Sequence, residues 1–222
     1  MDIIEFLDWA SVITGLVLAA VGLVLSFYSA QKRKDVSLFH YLLTGFYACI
    51  FMSNAYYLLV WFLEDYPYVF SPGDLSWVGA IVFLITAVLV KKEKLKENQK
   101  KAAKKYRLPA LAAPCVCAAF NIAYISIYPE LIINYLLYAI PTLILSWLTL
   151  LYLLAGLKGE AQPVIQKYHL AILVWIVVQL FNDLFSSLGF YNGFAVHGII
   201  CEFLLAAATL AIYFASRKEA EA

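Results

Sequence analysis

Seven long apolar segments, separated by short polar stretches, dominate the pattern of this chain. Each is close to the roughly 20 residues that an α-helix needs to cross the hydrocarbon core of a bilayer. Apolar residues run continuously through these segments instead of alternating, which excludes a transmembrane β-barrel. The pattern predicts an all-α membrane protein, with one bundle of seven transmembrane helices over residues 1-222. The predicted helices lie near residues 8-30, 37-63, 75-90, 108-128, 131-157, 164-190 and 194-216.

Composition identifies lipid as the solvent of this chain. Hydrophobic residues make up 64% of the 222 positions and charged residues only 14%, against about 25% charged in an average soluble domain. A soluble fold of this length has too small a core to bury so much apolar surface. We therefore exclude a disordered protein, a nucleic-acid binder and an ordinary soluble enzyme, and we expect the lipid bilayer as the first partner.

The basic residues decide the predicted orientation. All 16 Lys and Arg lie at or after the ends of spans one, three and seven, or beside the loop after span five. The loops on the opposite side carry acidic residues, such as Glu64, Asp65 and Glu130, but no basic ones. Because Lys and Arg in short loops stay in the cytoplasm, the sequence predicts a multi-pass protein of a bacterial plasma (inner) membrane, with the N-terminus outside and the C-terminus cytoplasmic. An even number of spans would scatter the basic residues over both sides.

Spans two and six share a short internal similarity. Asn54 follows His40 by fourteen residues in span two, and Asp183 follows His169 by the same interval in span six. Spans one to three and five to seven would then form two units, with span four as the inverting linker. This predicts a 3+1+3 parallel repeat about an axis along the membrane normal. A chance match of a few positions is the alternative explanation.

Two acidic side chains are predicted inside the apolar spans, Asp183 in span six and Glu202 in span seven. An acid within the membrane is costly and marks a functional site by default. At 1.5 Å per residue, both lie about 13–15 Å below the outer ends of their helices. Two carboxylates at this depth would repel each other, so at least one would be protonated or paired with a cation.

We interpret these acids, with Asn54, as the floor of a cavity that opens to the outside and has aromatic walls. The alternative is a set of hydrogen bonds between helices that holds the bundle together without any ligand. The residues predicted to bind a ligand all fall in the outer half of their spans. They are Asp183, Glu202, Asn54, Asn182, Tyr57, Asn121, Tyr124, Tyr138 and His197.

The sequence contains no pattern typical of an enzyme. His40 and His169 stand at the cytoplasmic ends of their spans and His197 near the outer end of its span, so three imidazoles cannot meet around one metal ion. A nucleophile elbow, an HExxH motif and a phosphate-binding loop are all absent from the sequence. Cys115 and Cys117 would point to different faces of a helix, which suits packing better than metal binding. We therefore predict no enzymatic activity, no cofactor and no bound metal.

Short stretches near the outer ends of four spans resemble a bacterial sensory module. Residues 53–57 (SNAYY) and 71–77 (SPGDLSW) are similar to the paired helix starts of the seven-span N-terminal modules of diguanylate cyclases and sensor kinases. Those modules show a small residue before Asp and an aromatic, and then a Pro-Ser turn followed by Asp and Trp or Tyr. Residues 182–185 (NDLF) and 190–193 (FYNG) look similar in the second unit.

This resemblance implies a module that binds a ligand and passes a signal to the cytoplasm. Asn54, Asp74 and Asp183 would correspond to its recurrent acidic positions, although Asn54 stands where the module usually has Asp. His197 and Glu202 replace an Asp-aromatic pattern. Since only a short segment follows span seven, the signal would pass to a separate cytoplasmic partner.

The predicted topology is also similar to that of SWEET and PQ-loop transporters, which share the outside N-terminus and the 3+1+3 arrangement. Their diagnostic Pro-Gln pair is absent from spans one and five. This absence argues against membership of that family, but it does not argue against transport.

The sequence leaves three functions open. The first hypothesis is a sensory module that takes a small, cationic or amphipathic ligand from the outer face and signals through a cytoplasmic partner. The second is a small-solute or proton-coupled transporter in which the same acids carry the coupling ion, although the apolar inner half argues mildly against it. The third is an assembly subunit, and a homo-oligomer is compatible with all three.

Overall fold

A computed structural model describes residues 3–32, 38–63, 71–93, 101, 103–127, 129, 132–157, 163–192 and 195–217. Within these residues the structure contains seven long helices, a 3-10 turn and a short helical stretch at residues 103–105, and no strand. The helices are α1 (Ile3–Lys32), α2 (Leu38–Phe62), α3 (Pro72–Glu93), α4 (Ala112–Ile127), α5 (Ile132–Leu157), α6 (Pro163–Asn192) and α7 (Ala195–Arg217), and the 3-10 turn Pro109–Leu111 precedes α4.

All seven helices in the described residues are long and apolar enough to cross a membrane, which confirms the predicted all-α fold with seven spans. The start of α3 differs from the prediction near residue 75, because a local motif begins the helix earlier. The backbone N–H of Ser71 donates to Asp74 Oδ2 at 2.7 Å, and the backbone N–H of Asp74 donates to Ser71 Oγ at 3.2 Å. This reciprocal pair is a capping box, and Pro72 suits the first helical position because it needs no N–H partner there.

The helices turn apolar side chains outwards and small polar ones inwards. Large hydrophobic residues are exposed along the helices, with Val24 at 66% and Ile133 at 68%, whereas Ser146 and Thr149 are fully buried. The Thr149 hydroxyl donates to the carbonyl of Leu145 at 2.6 Å, so its polarity is satisfied within its own helix. This distribution suits a lipid environment, in which small hydroxyl residues allow helices to approach closely.

Six helices form a closed ring. In ring order, each of α1, α2, α3, α5, α6 and α7 packs against the next, and α7 packs back on α1. α4 lies outside the ring, against α5 and, more marginally, α6. The helices α2 and α6 therefore face each other across the ring.

One half of the ring is filled with aromatic side chains. We call the end of the bundle where α1, α3, α5 and α7 finish the basic end, because the basic segments of the sequence adjoin it, and the other end the acidic end. Near the basic end, the rings of Phe39 on α2 and Tyr168 on α6 meet at a centroid distance of 5.3 Å. Further towards the middle, Phe46 and Trp175 meet at 5.8 Å. These two pairs join the facing helices and close the centre of the ring.

Gly22 provides a stability test of this packing. A Cβ at Gly22 of α1 would overlap the ring of Tyr47 on α2, which is fully buried and held by a 2.8 Å hydrogen bond from its hydroxyl to the carbonyl of Thr209. We expect Gly22→Ala to lower the unfolding free energy by about 1–3 kcal/mol, because the ring has little room to move. Denaturant unfolding in detergent micelles would measure the change.

The matched control is Gly15→Ala on the same helix. A Cβ there would meet its nearest neighbour, Asn54 Nδ2, at 3.7 Å, an ordinary van der Waals distance. Its unfolding free energy should stay within about 0.5 kcal/mol of the parent protein. Equal effects of the two substitutions would contradict the close approach of α1 and α2 at Gly22.

Candidate functional site

The acidic-end half of the bundle contains a cavity of about 440 Å³ that is lined by all seven helices. The ring supplies most of the wall, and α4 contributes residues from outside the ring. Its volume falls in the lower part of the range typical of small-molecule sites. The polar lining consists of Ser11, Ser53, Asn54, Tyr57, Asp74, Asn121, Tyr124, Tyr135, Tyr138, Thr142, Gln179, Asn182, Asp183, Glu202 and Thr209.

The cavity brings together eight of the nine residues that the sequence predicted to bind a ligand. They are Asp183, Glu202, Asn54, Asn182, Tyr57, Asn121, Tyr124 and Tyr138. His197 is the exception, because it does not line the cavity. Its side chain is exposed, and its ring lies 5.4 Å from that of Phe185. His197 precedes Glu202 by five positions, so the two side chains leave α7 in different directions.

Asp74 is the acid that the sequence did not place among the ligand-binding residues. Its Oδ1 accepts a hydrogen bond from the Tyr57 hydroxyl on α2 at 2.6 Å and another from the Tyr138 hydroxyl on α5. Its Oδ2 accepts from the backbone N–H and the hydroxyl of Ser71, both at 2.7 Å. Four donors from three parts of the chain thus satisfy this carboxylate. The Ser-x-x-Asp spacing indicates only a helix cap, and the tyrosines that bind Asp74 at the cavity lie on other spans.

Asp183 and Glu202 have far fewer partners. Asp183 Oδ1 accepts a hydrogen bond from Gln179 Nε2 at 2.5 Å, one turn earlier on α6. Glu202 Oε2 accepts from the hydroxyl of Ser11 on α1. Among the described residues, the second oxygen of each carboxylate has no hydrogen-bond donor. A carboxylate can accept about four hydrogen bonds, so both acids keep acceptor capacity.

Two more acceptors on α6 are buried without a partner in the described part of the chain. They are Gln179 Oε1 and Asn182 Oδ1, and both residues line the cavity. The orientation of Gln179 is set by its donation to Asp183, which leaves its carbonyl oxygen unused. Buried acceptors are rarely left unpaired, because each costs about 1–3 kcal/mol. The α6 wall therefore suits a hydrogen-bond donor.

Aromatic rings form the other walls and the floor. Trp77 on α3 and Trp175 on α6 stack with centroids 5.7 Å apart and an interplanar angle of 28°. Tyr124 on α4 and Tyr135 on α5 stack at 5.3 Å and 26°. At the floor, the Trp175 indole N–H donates to Thr209 Oγ1 at 2.9 Å, which ties α6 to α7. The sequence does not single out the two tryptophans, because nothing in their local sequence distinguishes a cavity wall from an interface belt or a core.

The lining residues occupy matching positions on helices that face each other across the ring. Three lining residues on α3 and three on α7 share the spacing i, i+3, i+7, and three on α2 and three on α6 share the spacing i, i+3, i+4. The lining also includes residues outside these sets, namely Tyr57 on α2, Trp175, Ile176 and Leu180 on α6, and Ala206 on α7. The matching sets are Asp74, Trp77 and Ile81 with Glu202, Leu205 and Thr209, and Ile50, Ser53 and Asn54 with Gln179, Asn182 and Asp183. The second match has the same register as the His40 and His169 similarity in the sequence.

Two hydrogen bonds to acids also match when the three helices α1–α3 are compared, as one set, with the three helices α5–α7 as the other. Tyr138, on the first helix of the α5–α7 set, donates to Asp74 on the third helix of the α1–α3 set. Ser11, on the first helix of the α1–α3 set, donates to Glu202 on the third helix of the α5–α7 set. Each of these two acids therefore accepts one hydrogen bond from the first helix of the other set, while Tyr57 and Ser71 supply the remaining donors to Asp74 from its own set.

No family model, curated protein or solved structure matches this chain. The interpretation of the cavity rests on its own residues. Cys115 is exposed and Cys117 is buried on α4, so they do point to different faces. Among the described residues, no group of three or more His, Cys, Asp and Glu side chains is placed to hold a metal ion.

Proposed function

We propose that this protein is a small-solute transporter of the membrane, built from two three-helix units, α1–α3 and α5–α7, with α4 as the linker. The observation that carries the proposal is the correspondence of the cavity residues on facing helices. Parallel repeats related by an axis along the membrane normal occur in transporters, where the substrate lies between the repeats. The ring order supports the same division, because each contact within one unit has a counterpart in the other.

The cavity and the aromatic pairs fit one stage of an alternating-access cycle. The acidic-end half is open enough to hold a solute, whereas Phe39 with Tyr168 and Phe46 with Trp175 fill the basic-end half. In this proposal the acidic end faces outside, as the distribution of basic residues predicts. Rocking of the two units about their common axis would separate the aromatic pairs and open a path to the cytoplasm.

Cysteine labelling tests this cycle without a known solute. Leu43 is fully buried on α2, on the face between Phe39 and Phe46. After replacement of the four native cysteines, Leu43→Cys should react with a membrane-impermeant maleimide added to inside-out vesicles, because transport requires water to reach this level. Asn54→Cys, which lines the cavity, should react in right-side-out vesicles.

The matched control is Val174→Cys on α6, which is 47% exposed on the outside of the bundle. It faces lipid in this proposal and should stay unlabelled from both sides. If Leu43→Cys remains unlabelled from the basic end while Asn54→Cys reacts, the protein does not alternate and the transport proposal fails.

A sensory module is the second candidate, and the filled basic-end half favours it. Phe39, Tyr168, Leu43 and Ile172 are almost completely buried there, so among the described residues these side chains separate the cavity from the basic end. A sensor needs only such a one-sided site and a change that a cytoplasmic partner or a second copy can detect. Failure of Leu43→Cys to react would make this candidate the better one.

A further inference from the structure

We propose that the solute bound in the cavity is a small organic cation, namely an amine with an apolar body. The inference deepens the proposed function, since it names the substrate class of the same site. It requires that the cavity bind a ligand, but it holds for a transporter and for a sensor alike.

The charges of the lining select a cation. Asp74, Asp183 and Glu202 line the cavity, and no Lys, Arg or His stands among the described lining residues. Asp74 is already satisfied by four donors. Within the described parts of the chain, Asp183 and Glu202 each keep an oxygen without a donor, so they are the acids that can bind an ammonium group.

The amides beside these acids favour a donor with several N–H groups. Gln179 and Asn182 precede Asp183 on α6 by four residues and one residue, and Gln179 Oε1 and Asn182 Oδ1 are buried without partners in the described part of the chain. An ammonium group offers up to three N–H donors and no acceptor. It can therefore pair with a carboxylate and, when the amides turn towards the cavity, with their oxygens, whereas a bare proton on the carboxylate would leave those oxygens unpaired.

The aromatic surfaces fit the remainder of such a ligand. Trp77 and Tyr135 are the less buried rings of the two stacked pairs and line the cavity, and the almost completely buried Trp175 and Tyr124 support them by stacking. A cation near an aromatic face gains about 0.5–2 kcal/mol, most when water is excluded, and the same rings bury an apolar body. A strongly hydrated inorganic cation gains little from these walls.

Three probes of nearly equal size separate charge from shape. 2-Phenylethylamine, 2-phenylethanol and 3-phenylpropionate differ mainly in a positive, neutral or negative end. We expect calorimetry on the full chain in nanodiscs to show binding of the amine, at least about tenfold weaker binding of the alcohol, and no binding of the carboxylate. A tenfold difference in affinity is about 1.4 kcal/mol, close to the smallest contribution expected from one hydrogen bond to a charged group.

Substitutions locate the binding. Asp183→Asn and Glu202→Gln preserve shape and remove the negative charge, so each should weaken amine binding about tenfold or more while leaving alcohol binding nearly unchanged. The matched control is Glu93→Gln, which also removes one negative charge, because Glu93 ends α3 at the basic end, away from the acidic-end half that contains the cavity. Thermal unfolding of each variant without ligand shows that it is folded.

The outcomes separate the two proposals. The substrate class is overturned if the amine binds no better than the alcohol or if the carboxylate binds best. It is also overturned if Na⁺ raises the unfolding temperature of the parent but not of Asp183→Asn and Glu202→Gln, while the amine raises none of them. It is equally overturned if Glu93→Gln weakens amine binding as much as Asp183→Asn. Labelling of Leu43→Cys from the basic end would still support transport in these cases, and amine binding without that labelling would support a cation sensor.

Discussion

Truncation of Trp175 is expected to cost about 3–5 kcal/mol of unfolding free energy, the usual cost of replacing a fully buried Trp by Ala. The side chain is 1% exposed and touches three other helices. It stacks on Trp77 of α3, meets Phe46 of α2 at 5.8 Å, and donates its indole N–H to Thr209 of α7. Lipid chains cannot fill a void at the centre of the ring, so these contacts would be lost without replacement.

Denaturant unfolding in micelles would measure the effect of Trp175→Ala against two controls. Trp175→Phe keeps an aromatic ring but leaves the Thr209 hydroxyl without its donor, and should cost about 1–3 kcal/mol. Val174→Ala, at the neighbouring exposed position, should cost less than about 1 kcal/mol. A cost for Trp175→Ala no larger than that for Val174→Ala would show that the floor of the cavity is not packed as described.

Removal of the Asp74 carboxylate is expected to cost about 3 kcal/mol, because it leaves donors on three elements unpaired at once. A hydrogen bond to a charged group contributes about 1.5–3 kcal/mol, which applies to the part-buried Tyr138 bond, and loss of a helix cap costs about 1 kcal/mol. The bond from the exposed Tyr57 adds little, because water can replace it. Since Asp74 accepts from Tyr57 of α2, Tyr138 of α5 and the start of α3, Asp74→Ala should loosen the contact between α3 and α5. The unfolding free energy in micelles measures the loss.

A double-mutant cycle identifies the source of that cost. Asp74→Ala and Tyr138→Phe should be coupled by at least about 0.5 kcal/mol, as expected for groups in direct contact. Ser76→Ala is the control on the same helix, since its exposed hydroxyl only donates to the carbonyl of Pro72 at 2.9 Å. Strict additivity of the first two substitutions would contradict the hydrogen bond that joins α3 to α5.

The helices were the most predictable part of the structure. Long apolar runs leave a backbone in lipid only one way to satisfy its N–H and C=O groups, so their number follows directly from hydropathy. The residues at which the helices begin were less predictable. The structure begins α1 at Ile3 and α3 at Pro72, because polar residues such as Glu5, and the cap made by Ser71 and Asp74, belong to helices that extend beyond the apolar run.

The candidate site was predictable only where polarity was out of place. Asp183, Glu202 and Asn54 attract notice because polar groups are costly within apolar spans, and all three line the cavity. Asp74 gave no such signal, since an acid near the end of a span is ordinary. Trp77, Trp175 and Gln179 gave none either, because aromatic residues and a single amide occur on lipid-facing, core and cavity surfaces alike.

The sequence by itself determined that the chain is a seven-span helical membrane protein and which acids lie within its spans. These properties depend on the cost of placing each residue type in lipid, which acts on one segment at a time. Only the tertiary structure decided that six helices close a ring, that α4 stays outside it, and that Asp74 and the two tryptophans join the acids around one cavity. Those properties depend on which faces of separate helices pack together, and in lipid that choice is made by side-chain fit and hydrogen bonds between helices and not by hydrophobicity.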